Sequence, residues 1–105
     1  MIFRAVVGIV FATVTPPARA GSISDADVLV IVHKHCTACH AASPTHESFR
    51  EAPKNIVLES VADLKKHAGV VYVQTVQGRA MPLGNQTVMS ELERAALGRW
   101  LKELH

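Results

Sequence analysis

Apolar residues recur along much of this chain at three- and four-residue intervals, and turn-forming residues mark where that rhythm stops. Ser24, Asp25 and Asp27 precede Val28, Leu29, Val32 and Cys36 at helical spacing. Ser24 suits an N-cap, and the aspartates suit the positive end of a helix dipole. The β-branched residues between 28 and 32 would also fit a strand, but the cap and the cysteine-containing stretch that follows favour a helix. Residues 41–56 lack the rhythm. Ser43-Pro44-Thr45 and Ala52-Pro53-Lys54-Asn55 read as loop, with Phe49 the large apolar residue between them. Asn55 is suited to left-handed backbone.

Ser60 can cap a second helix over residues 61–67, with Val61 and Leu64 inward, and Gly69 is expected to interrupt it. Residues 70–77 fit helix or strand by composition. A helix is expected, because a lone strand would have no partner, and Gly78 closes it. Residues 79–85 form a Pro- and Gly-containing loop. Ser90-Glu91-Leu92-Glu93 is a capping box that starts a last helix, expected to run to about residue 104. Leu97, Trp100, Leu101 and Leu104 share one face of it, and Gly98 beside them would let another helix approach closely. The pattern predicts an all-α domain.

The first 20 residues differ in texture. A short start ending in Arg4 leads into an uncharged, mostly apolar run over residues 5–14, then Pro16, Pro17 and Ala18-Arg19-Ala20. This fits a secretory signal peptide over residues 1–20 with a small-residue cleavage site, leaving a domain of residues 21–105. The alternative is an uncleaved N-terminal anchor, although the run is shorter than the roughly 20 apolar residues of a span. The leader also changes the charge balance. Arg4 and Arg19 account for the excess of 11 basic over 9 acidic residues, so the pI near 8.7 gives no support for nucleic-acid binding. What remains is a small domain that buries a modest core and would gain from a covalent staple.

Cys36-Thr37-Ala38-Cys39-His40 has the form that attaches a c-type haem. Each thiol can add across one vinyl group, and the next residue can offer its imidazole to the iron. A six-coordinate electron-transfer iron needs a second axial ligand, and histidine with methionine raises its potential. Met81, stiffened by Pro82, is the first candidate; Met89, His46 and His67 are the others. His33 and His35 lie on the helix that carries the motif and do not readily reach the opposite haem face, and His105 is terminal. Phe49 is expected against the haem edge, and Arg79 either faces a propionate or is solvated. Two competing readings exist. A redox disulfide expects a preceding strand and a βαβ fold. A zinc site would need His40 and His46 beside the two thiols.

Helix, Cys-x-x-Cys-His, loop, Met-Pro and closing helix in that order resemble a class I cytochrome c. More narrowly, the chain is similar to the C-terminal cytochrome c domain of the bacterial membrane-bound urate oxidase family. The matching residues are 36–41, Pro44-Thr45-His46-Glu47, Phe49, Ala52-Pro53-Lys54, Met81-Pro82-Leu83-Gly84-Asn85, Thr87, Glu93-Arg94 and Leu97-Gly98-Arg99-Trp100. They span nearly all of the chain after the leader. The resemblance implies a small cytochrome c fold, three to four helices around one covalently attached haem c, with first and last helices crossing near Gly98. Cys36 and Cys39 would hold the haem, and His40 and Met81 the iron. In such cytochromes a proline carbonyl after the motif commonly takes the histidine N–H, which points to Pro53, then Pro44.

Asn55 stands where the family looks to prefer glycine, and no stretch matches the membrane-embedded oxidase part. What carries over is single-electron transfer in the periplasm, not urate chemistry and not enzymatic catalysis. Partners would be redox proteins, a membrane-bound oxidase among them, with membrane contact only through an uncleaved leader or a partner. Two other readings are an obligate haem subunit of a membrane oxidase complex, and a gas-binding or enzymatic haem protein with an open iron site.

Overall fold

Serine caps set the main helices of this computed structural model, which describes residues 23–104. The expected leader and His105 lie outside the described residues. The Ser24 hydroxyl accepts the Asp27 N–H at 3.0 Å, and helix α1 runs Asp25–His35 with Cys36 as its C-cap. Helix α2, Val61–Lys66, starts with a reciprocal capping box in which Ser60 and Asp63 each satisfy the other's backbone N–H. His67 separates it from α3, Ala68–Tyr72, which continues as a π-helical turn over Val73–Gln77. Gly78 ends that turn by donating its N–H to the Val73 carbonyl at 2.9 Å. Helix α4, Glu91–Lys102, opens on the Ser90–Glu93 capping box. Secondary structure among the described residues is helical with no strand, so the domain is all-α. None of these helices is long and apolar enough to cross a membrane.

Two expectations need correction, and a third holds and extends to its neighbour. Gly69 does not interrupt the helix but sits in the first turn of α3, with open space where its side chain would be. One helical glycine costs only about 1 kcal/mol relative to alanine, which neighbouring burial outweighs. The last helix stops at Lys102, two residues short of the expected end, although Leu104 still packs on the core. Left-handed backbone at Asn55 (φ 60°) is shared with Lys54 (φ 57°), and the same pairing recurs at Gly84 (φ 59°) and Asn85 (φ 47°). Each pair lies in a short 3-10 turn, Pro53–Asn55 or Leu83–Asn85.

The core lies between α1, α2, α3 and α4. Val28, Val32, Leu64 and Leu97 are fully buried there. Trp100 Nε1–H donates to Asp25 Oδ1 at 2.9 Å, which ties the end of α4 to the start of α1. Gly98 permits a close approach, and Val76 is the nearest neighbour it admits. A Cβ at this position would lie 2.9 Å from Val76 Cγ1 and 3.4 Å from Cγ2, so the π-helical turn is the element packed against it.

Because a valine side chain is stiff at χ1, the turn must shift to admit a methyl group there. Gly98→Ala is expected to cost roughly 1–3 kcal/mol in denaturant unfolding. The cost should shrink in a Val76→Ala background. An equal penalty in both backgrounds would show that this contact is not what Gly98 serves.

Candidate functional site

A cavity of about 350 Å³ opens between the end of α1, the 41–56 loop, α3 with its π-helical turn, and the 79–85 loop. This lies within the roughly 300–1,000 Å³ of small-molecule sites. Its walls are mainly apolar. Cys36, Cys39, His40 and Met81 all line it, as do Phe49 and Pro53. Arg79, Met89, His46, His67 and Pro44 do not.

The chain after α1 coils once more, and this brings the motif to the cavity. Cys36 N–H bonds to the Val32 carbonyl at 2.8 Å, and the N–H groups of Cys39 and His40 bond back to the Cys36 carbonyl at 3.2 and 2.8 Å. His40 Nδ1 then faces the Ile56 carbonyl at 2.8 Å. Since a carbonyl can only accept, that nitrogen carries a proton, and in the neutral ring the lone pair is left on Nε2. The Leu58 N–H bonds to the His40 carbonyl at 2.8 Å, so the returning strand of the loop holds both ring and backbone of His40. The acceptor is therefore Ile56 rather than Pro53 or Pro44. Pro53's carbonyl is already taken by the Ile56 N–H, at 3.0 Å, inside the 3-10 turn.

On the opposite wall, Met81 N–H bonds to the Gln74 carbonyl at 2.9 Å. Its carbonyl accepts from Arg94 Nη1 at 3.0 Å, and the same nitrogen donates to the Thr75 carbonyl at 2.6 Å. Met89 instead belongs to the core, 3% exposed, with its N–H on Asn85 Oδ1. Arg79 is exposed and both its terminal nitrogens grip the Glu91 carboxylate, so it does not face the cavity. His46 joins the two loops through Gln86, at 3.2 Å, with its ring 5.6 Å from that of Phe49.

Two residues at the site escape a reading of charge as solvated surface. His35 is buried, lines the cavity and places Nδ1 2.7 Å from Thr87 Oγ1. Its Nε2 lies 3.0 Å from Glu93 Oε1, close but not aligned as a hydrogen bond. Arg94 is the other, 5% exposed. Both occupy buried stripes legible in spacing, His35 after Val28 and Val32, Arg94 before Leu97 and Leu101.

The thiols are not activated nucleophiles. Burial, and then the neighbouring Cys39, push the Cys36 thiol up to about 12, and burial raises Cys39 as well. Redox-active thiols show the reverse, a lowered pKa. Helix α1 also stands where a thioredoxin-like reading requires a strand. Among the described residues no three His, Cys, Asp or Glu side chains gather as a metal-binding group, as the zinc reading needs. The chain matches no family model, no curated protein and no solved structure.

Glu93 joins α4 to the α1 wall of the cavity. The Ser90 N–H, then His35 and Lys34, hold its carboxyl down to about 2. A depressed carboxylate contributes stability above its ordinary range, which is lost as pH falls through the folded value. Wild-type stability is expected to fall between about pH 5 and pH 2, and Glu93→Gln should flatten that loss. Parallel acid-unfolding curves for the two proteins would remove Glu93 as its source.

Proposed function

We propose that this chain is a monohaem c-type cytochrome of small cytochrome c fold that carries single electrons outside the cytoplasm. The observation that carries the reading is the convergence of Cys36, Cys39, His40 and Met81 on one apolar cavity. A haem c would be held by thioether links from the two cysteines, and His40 Nε2 and the Met81 sulfur would bind its iron. When bound, it supplies an iron centre that takes up or releases one electron.

The protein's part is to fix and shield. Ile56 locks the His40 ring in one tautomer and orientation, as a carbonyl behind a metal-bound histidine does. The thioether of Met81 is a soft neutral donor that favours the reduced metal. Phe49, Ile56, Leu58 and Val71 limit water at the centre. The leader-like residues 1–20 support export to the periplasm, where partners would be redox proteins. A membrane-bound oxidase of the urate-oxidising kind is the partner that the sequence resemblance favours.

The full chain, produced with a c-type haem maturation system, is expected to retain haem under denaturing conditions, and Cys36→Ser with Cys39→Ser should abolish this. The ferric protein should show a near-infrared methionine-to-iron band. Met81→Ala should remove that band and lower the reduction potential, while Met89→Leu leaves both unchanged. An intact band in Met81→Ala would overturn the ligand assignment. Ready carbon monoxide binding by the reduced wild type would favour an open-site haem protein instead.

A further inference from the structure

We infer that Arg94 positions Met81, pinning the methionine-bearing loop to the end of the π-helical turn and so setting how firmly the thioether holds the iron. This rests on the reading of Met81 as an iron ligand.

The last carbonyls of a helix have no intrahelical donor and form the negative end of its dipole. Here Gly78 ends the helix, and two of those carbonyls serve the loop that follows. Gln74 O takes the Met81 N–H at 2.9 Å. Thr75 O takes Arg94 Nη1 at 2.6 Å, and that same nitrogen reaches Met81 O at 3.0 Å. Both backbone polar groups of Met81 are thus anchored to one turn, directly on one side and through a guanidinium on the other. Arg94 does this from outside the cavity, with its side chain 7% exposed. Glu91, 3.7 Å from its Nε and itself gripped by Arg79, is the nearby countercharge.

Without the guanidinium, two carbonyls lose their donor and Met81 keeps one backbone tether to the turn. A sixth ligand so loosened competes less well with an added one. A role confined to folding would lower stability without changing that competition.

The test uses the haem-loaded full chain in the ferric state, titrated with imidazole and followed by loss of the near-infrared methionine band. Arg94→Leu and Arg94→Lys should bind imidazole roughly ten- to a hundredfold more tightly than wild type, the range set by loss of a hydrogen bond from a charged donor. Lysine keeps the charge but lacks the planar fork that spans two carbonyls. Leu101→Ala, a buried change on the same helix away from the cavity, should lower stability and titrate as wild type does. Arg94 variants that titrate like wild type or like Leu101→Ala would overturn the inference. If Arg94→Leu does not accumulate, Arg94→Lys decides alone. Failure of Met81 ligation itself would look different: wild type would lack the band, and Met81→Ala would bind imidazole no more tightly.

Discussion

A cavity walled largely by loops can stay apolar only if the backbone of those loops is hydrogen-bonded away from it, because an unpaired buried N–H or carbonyl costs as much as a lost hydrogen bond. That constraint shapes this domain. One wall solves it by folding the 41–56 loop back on His40, so that the Ile56 carbonyl accepts from the ring and the Leu58 N–H donates to the His40 carbonyl. The other wall solves it with the end of the third helix, whose leftover carbonyls receive Met81 and Arg94. Each wall presents a potential ligand to the cavity and turns its polar backbone outward.

Helix α4 is where the two solutions meet. Its first turn holds Glu93, which faces His35 and Lys34 of α1, and then Arg94, which reaches the π-helical turn and the Met81 loop. Two adjacent residues of opposite charge therefore serve opposite sides of the site. The capping box places them, because Ser90 fixes the register from which their directions follow.

Much of this was legible in sequence, and the rest fails for identifiable reasons. Ser24, Ser60 and Ser90 announce helix starts because a short polar side chain has few better uses than a free N–H. Cys36, Cys39, His40 and Met81 stand out in sequence because few side chains can bind metal or macrocycle, and the fold brings all four to one cavity. Ile56 could not be found this way, since its contribution is a carbonyl that every residue possesses. The arginines follow the same logic, since Arg79 takes the exposed one of its two expected placements and Arg94 carried no expectation of its own. Arg79, beside Met81 in sequence, pairs with Glu91 at the surface, while Arg94, thirteen residues on, touches the Met81 backbone. Nearness along the chain was a poorer guide than position on a helix face. The π-helical turn has no local signature at all, because it is defined by which carbonyl Gly78 reaches.

The missing side chain at Gly98 has a wider consequence. It lets α4 lie directly on Val76, in the turn whose carbonyls hold Met81. On the proposed reading, in which Met81 binds a haem iron, the interior of the domain and the colour of the haem would share a mechanical link. The near-infrared absorption would then act as a strain gauge for the helix interface, registering a packing change before the chain unfolds.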